Sequence, residues 1–214
     1  YPKEKEYRLN TALCTWPHDH SHLYYTDGIS ETCTRTDASI LQARKDIDHQ
    51  EKRNQIHFDE HQFIYRSSIC KLSEQIQNAI LVSPVPLPIR GRSGQLATSE
   101  IWRGLFLHDD RIFYTKMEEE QPSFSVDLVL DASASCMDYQ ETLAAQSYVI
   151  AQSLQKCRIP VQVTSFSSLR SYTVIHRFIR YNETDKNTNL FRYFAAGWNR
   201  DGLALRAIHQ LMEE

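Results

Sequence analysis

Phe124-Ser125-Val126-Asp127-Leu128-Val129-Leu130, followed directly by Asp131-Ala132-Ser133-Ala134-Ser135, carries the strongest indication of fold class in the chain. The first seven residues form a near-continuous apolar run, the pattern of a strand covered on both faces. The next five set a carboxylate and two hydroxyls at alternating positions just past the strand. Three hard oxygens from one tight loop suit a divalent cation of the magnesium type, and open α/β sheets bind ligands beyond the carboxyl ends of their strands. The competing interpretation is a Ser-rich strand-to-helix turn in which Asp131 and Ser135 cap the next helix. Cys136 and Met137 read as apolar packing beneath the loop. Neither Ser133 nor Ser135 has the flanking glycines that a nucleophile elbow requires, which argues against a serine nucleophile.

Working outward toward the C-terminus, residues 138–156 carry Leu143, Ala144, Ser147, Ile150, Ala151 and Leu154 on one stripe, so a helix packs back on the sheet. Arg158-Ile159-Pro160 closes that connection, and Val161 to Phe166 reads as a second strand, giving a right-handed βαβ unit with the Ser-rich loop at its upper edge. Tyr172 to Ile179 alternates as an adjoining antiparallel strand after a short turn. A last helix is expected from near Gly202 through Leu203, Leu205, Ile208 and Leu211.

Toward the N-terminus, a polar, aromatic-containing segment runs to about Thr36, and Thr36-Asp37 reads as a helix start. Apolar spacing predicts an amphipathic helix from Phe58 to Val82. The charge-rich stretch from Gln42 to Gln55 reads as a solvated helix or a connector. Ser83-Pro84-Val85-Pro86-Leu87-Pro88 ends the helix. Arg90-Gly91-Arg92-Ser93-Gly94-Gln95 lacks the spacing of a phosphate-binding loop and reads as a linker. A short helix around Ile101-Trp102-Arg103 and an extended piece over Arg111 to Tyr114 follow, and the acidic run Glu118-Glu119-Glu120 marks a boundary. The expected organisation is a mostly helical region over 1–122, with a Pro/Gly linker near 83–95, and an α/β domain over 123–214.

The 214 residues, 41% hydrophobic and 24% charged, suffice for one core and a smaller accessory region. A net charge of -3 argues against a dedicated nucleic-acid binder, and no apolar stretch approaches the roughly 20 residues that span a bilayer. A first residue other than Met, Tyr1, suggests a fragment. Five cysteines at irregular spacing do not suggest a disulfide framework and fit a reducing, cytoplasmic setting. Cys14, His18, His20, His22 and Cys33 gather zinc-type ligands within about twenty residues, but without a standard zinc spacing. Surface or core histidines are the alternative.

With Asp131, Ser133 and Ser135 in an Asp-x-Ser-x-Ser pattern after an apolar strand, residues 123–214 resemble the von Willebrand factor A (VWA) domain and its metal-ion-dependent adhesion site. Asp109 to Phe113, Thr164-Ser165-Phe166-Ser167-Ser168 and Trp198-Asn199-Arg200-Asp201-Gly202-Leu203-Ala204-Leu205-Arg206 look more narrowly like the nitric oxide reductase activation protein (NorD-type) group, with cobaltochelatase CobT as a more distant relation. The resemblance implies a Rossmann-like, doubly wound α/β fold. It implies a magnesium or manganese ion held by Asp131, Ser133 and Ser135, with Asp201 where the family's second loop usually provides Thr. Asp131 and Asp201 together would neutralise a divalent ion. The family's third metal loop would lie beyond Glu214, so the strand over 124–130 is expected to have one unpaired edge, which invites pairing or aggregation. At least two further strands are therefore expected in a longer chain.

The resemblance further implies a non-enzymatic, cation-dependent adaptor that works with a MoxR-type AAA+ ATPase to activate a client metalloenzyme or insert its metal. The alternatives are a zinc-binding or metal-delivery protein using Cys14, His18, His20 and His22, and a domain that binds through its surface with no ion.

Overall fold

Residues 3–27, 38–81, 89–115, 124–181 and 183–212 are described by a computed structural model. Along the chain the elements are α1 (Lys3–Leu13), β1 (His22–Thr26), α2 (Ala38–Glu60), α3 (Gln62–Leu81), β2 (Ile89–Gly91), β3 (Gln95–Leu96), α4 (Ile101–Leu107), β4 (Phe113–Thr115), β5 (Val126–Asp131), α5 (Gln140–Lys156), β6 (Val161–Leu169), β7 (Tyr172–Ile179) and α6 (Asp201–Met212). They divide into two units, Tyr1–Ile76 with Ser125–Glu214, and Gln77–Phe124. The N-terminal residues through Ile76 therefore share a unit with the α/β elements, a division that composition along the chain does not suggest.

The larger unit is built on a four-stranded sheet in the order β1-β7-β6-β5. β5 and β6 are parallel with α5 between them in the chain, β6 and β7 form an antiparallel hairpin, and β1 joins β7 in parallel. This is the expected α/β class, with the expected strand–helix–strand unit and hairpin. β6 is buried at every position from Val161 to Phe166, so both its faces are covered. Among the described residues β5 lies at a sheet edge, as expected for the strand over 124–130, but it is half-buried throughout and so lacks the expected cover on both faces. Its Asp127 is accommodated because Gln162, its register partner, donates to Oδ1 at 3.0 Å and Tyr181 donates to Oδ2.

β1 was not anticipated, because five residues with two adjacent tyrosines give little periodicity. Its inward-facing Leu23 and Tyr25 pack with Leu9 of α1, Ile175 of β7 and Leu203, Ala207 and Ile208 of α6 in one buried cluster. Asn10 closes the outer edge: it accepts from the Leu23 N–H at 2.7 Å and donates to the Leu23 carbonyl at 3.0 Å. One carboxamide thus does at Leu23 what a neighbouring strand would do, which blunts the edge. Arg177 and Arg180 hold Asp27, just past β1, at 3.0 and 2.6 Å.

The stretch expected as a solvated helix or connector belongs to α2, and the helix expected from Phe58 begins at Gln62 instead. His61 separates the two and accepts at its carbonyl from the N–H groups of Ile64 and Tyr65. α2 buries Gln50, Asn54 and Phe58, spaced four apart on one face, while Ile47 and Ile56 stay exposed. Phe58 packs among the rings of Tyr65, Tyr148 and Phe191.

The smaller unit carries a three-stranded antiparallel sheet in the order β2-β4-β3 and the short helix α4. The expected helix start at Thr36-Asp37, the run Ser83 to Pro88 and the acidic boundary at Glu118 lie outside the described residues. No helix is long and apolar enough to cross a membrane among the described residues.

Candidate functional site

β5 ends at Asp131, and Ala132, Ser133, Ala134 and Ser135 lead into a tight 3-10 turn over Ala134–Tyr139 before α5 begins. The backbone N–H of Ser133 donates to Asp131 Oδ1 at 2.8 Å, its hydroxyl donates to Asp131 Oδ2 at 3.1 Å, and the Ser133 and Ser135 hydroxyls lie 2.8 Å apart. Ser133 is buried, whereas Ser135 faces solvent. No side chain caps the turn or α5, so the capping interpretation of Asp131 and Ser135 is not what the loop does.

A second loop is fastened alongside. Ala196 donates to the Ala132 carbonyl at 2.8 Å, Ala134 donates to the Gly197 carbonyl at 2.9 Å, and Trp198 and Ser168 exchange a pair of backbone hydrogen bonds. Gly197 has φ +82, and a Cβ there would collide with the Ser168 carbonyl oxygen. Only glycine lets the second loop lie this close to the end of β6. Asn199 then reaches Asp131 Oδ2 at 3.4 Å, and Asp201 opens α6 with its side chain exposed. Arg200 turns away, donating to the Ser21 hydroxyl at 3.1 Å and the Arg170 carbonyl at 2.7 Å.

The structure thus brings Asp131, Ser133 and Ser135 together. Asp201 makes no hydrogen bond or ion pair with them, and Asn199 is the second-loop side chain that touches Asp131. The donor set fits a hard cation. With metal–oxygen distances of about 2.0–2.1 Å, adjacent ligands on an octahedron are about 2.9 Å apart, close to the oxygen spacings already held by the serine and aspartate bonds.

Three residues that the sequence did not single out support these loops. Tyr193, fully buried, donates its hydroxyl to the Asp131 carbonyl. Burial, with Cys136 and Asp131 nearby, pushes that phenol well above its ordinary range, so it remains a donor. Gln140 accepts from the Ala195 N–H at 2.7 Å and donates to the Met137 carbonyl at 3.1 Å. Asn54 donates to the carbonyls of Phe191 and Tyr193 at 2.8 and 2.9 Å. Only a polar position recurring every fourth residue in α2 hints at the last. Met137 is exposed, not packed beneath the loop as expected, because the 3-10 turn carries it to the surface.

Among the described residues no three His, Cys, Asp or Glu side chains converge, so Cys14, His18, His20 and His22 are not gathered as a ligand set; Cys33 lies outside the described residues. The Cys14 thiol donates to Asn10 Oδ1 at 3.5 Å, and burial pushes its pKa up. His20 pairs with Asp19 at 3.7 Å, and His22 packs beside Tyr172. No protein-family model, curated protein or solved structure matches the chain.

Proposed function

We propose that the chain is a non-enzymatic, cation-dependent protein-binding adaptor of the VWA type, a cytoplasmic partner of a MoxR-type AAA+ ATPase in metalloenzyme activation or metal insertion. The observation that carries this reading is the Ser133 hydroxyl beyond the end of β5, 3.1 Å from Asp131 Oδ2 and 2.8 Å from the Ser135 hydroxyl. In this reading those three residues hold magnesium or manganese, and Asp201 provides the second-loop carboxylate. The bound ion would supply an electrophilic point for a carboxylate of the partner. Tyr193 and Gln140 keep the two loops in place, and exposed Met137 and Trp198 offer apolar contact beside them.

Binding of a MoxR-type ATPase from the same cells to the immobilised chain, with magnesium and with chelator, tests the reading. Asp131→Ala and chelation should each weaken capture by at least about tenfold, or about 1.4 kcal/mol, with unchanged circular dichroism. Capture indifferent to both would remove the cation from the function.

A further inference from the structure

A cavity of about 690 Å³ opens between α1 and β1. That volume lies in the range of ligand-sized clefts, about 300–1,000 Å³. Its charged lining is of one sign: Glu6 from α1 and Asp19 from the following turn, with no lysine or arginine among the described lining residues. Among the described residues the Asp19 carboxylate pairs with His20, at 3.7 Å, and that histidine is 96% exposed. Tyr7 and Tyr24, from α1 and β1, line the same space and are 74% and 51% exposed, so their ring faces are open.

Within the lining, the Asn10 carboxamide is fully engaged. Asn10 donates to the carbonyls of Glu6 and Leu23 and accepts from the Leu23 N–H and the Cys14 thiol. The lining also carries the Thr11 and Ser21 hydroxyls and the His22 imidazole, but its carboxylates and its two exposed tyrosine rings are the features that select a ligand by charge and shape. An ammonium would satisfy the charge, but a guanidinium satisfies both features: it is planar and weakly hydrated, stacks on aromatic rings, and forks its N–H donors toward carboxylates.

We propose that this cavity binds an arginine side chain presented by a peptide segment, with Glu6 and Asp19 pairing to the guanidinium and Tyr7 and Tyr24 stacking on it. The assignment does not depend on the cation site.

Calorimetric titration of the full chain with N-acetyl-arginine-N-methylamide tests it. Saturable binding is expected, weakened at least about tenfold in the Glu6→Gln/Asp19→Asn double variant and in Tyr24→Leu, all three at exposed or half-exposed positions. The citrulline and lysine analogues of the probe should bind at least about tenfold more weakly; equal binding by either overturns the guanidinium. Free arginine, whose own carboxylate meets Glu6 and Asp19, should also bind more weakly, and the reverse result would replace the peptide with the free amino acid. Absence of saturable binding, or unchanged affinity in the double variant, overturns the site.

Discussion

Asn54, fully buried in α2, donates its carboxamide to the carbonyl oxygen of Tyr193 at 2.9 Å, and Tyr193 in turn donates its hydroxyl to the carbonyl of Asp131. A helix whose sequence reads as solvated is thereby tied, through one tyrosine, to the loop carrying the candidate cation ligands. Gln50 completes the chain by donating to Asn54 at 2.9 Å and to Glu141 at 3.1 Å. Arg53 pairs with the same carboxylate at 2.6 Å. Burial raises the Glu141 carboxyl, but its hydrogen bonds and the Arg53 guanidinium outweigh that and hold it below the ordinary range.

Asn54→Ala should destabilise the chain by about 3 kcal/mol, because the carbonyls of Phe191 and Tyr193 lose their buried donor and each such loss costs about 1–3 kcal/mol. Urea unfolding at neutral pH measures this. A change no larger than that of an exposed substitution such as Gln55→Ala would show that water replaces the amide.

Gly197→Ala should cost about 1–3 kcal/mol through the left-handed backbone it strains and should loosen the Trp198–Ser168 pairing. The check is hydrogen exchange at the Ser168 and Trp198 amides, whose protection should fall together. Retained protection would mean that the loop tolerates a Cβ.

Acid should destabilise the fold through His176. Burial pushes its imidazole down to about 4, against the opposing pull of Asp27. Unfolded chains therefore take up a proton between the ordinary histidine range and about 4 that the folded chain does not. Stability falls as pH drops through that window, by up to about 3 kcal/mol, and is fully present above it. Comparing urea midpoints at about pH 7 and pH 4.5 for the natural chain and His176→Gln isolates the effect; parallel shifts in both proteins would assign the acid sensitivity elsewhere.

Magnesium should raise the melting temperature in the natural chain and leave Asp131→Ala unmoved. At a hundredfold excess over the dissociation constant the gain is about 2.7 kcal/mol. Adding chelator should reverse it. Equal stabilisation of both proteins would point to ions bound outside the Asp131 loop.

The local patterns were legible where one element's own periodicity carries the information. The run into Asp131, the stripe on α5, the hairpin of β6 and β7 and the start of α6 all follow from alternation or helical spacing. Sequence also brought Asp131, Ser133 and Ser135 to notice as one oxygen-rich loop, since all three lie within five residues.

Long-range pairing was not legible. Nothing within His22–Thr26 specifies β7 as its neighbour; burial of Leu23 and Tyr25 against α1 and α6 does so. For the same reason the helix boundary fell at His61 and not near Phe58, and the buried face of α2 is Gln50, Asn54 and Phe58 instead of its isoleucines. An apolar stripe says which face a helix can bury, whereas a polar residue becomes a core residue only when the carbonyls it satisfies arrive from elsewhere in the chain. The α/β class and the oxygen-bearing loop follow from the residues alone. What holds that loop, and that Asn199 reaches Asp131, emerges only in three dimensions, because each depends on partners between about sixty and a hundred and forty residues away whose spacing no local pattern encodes.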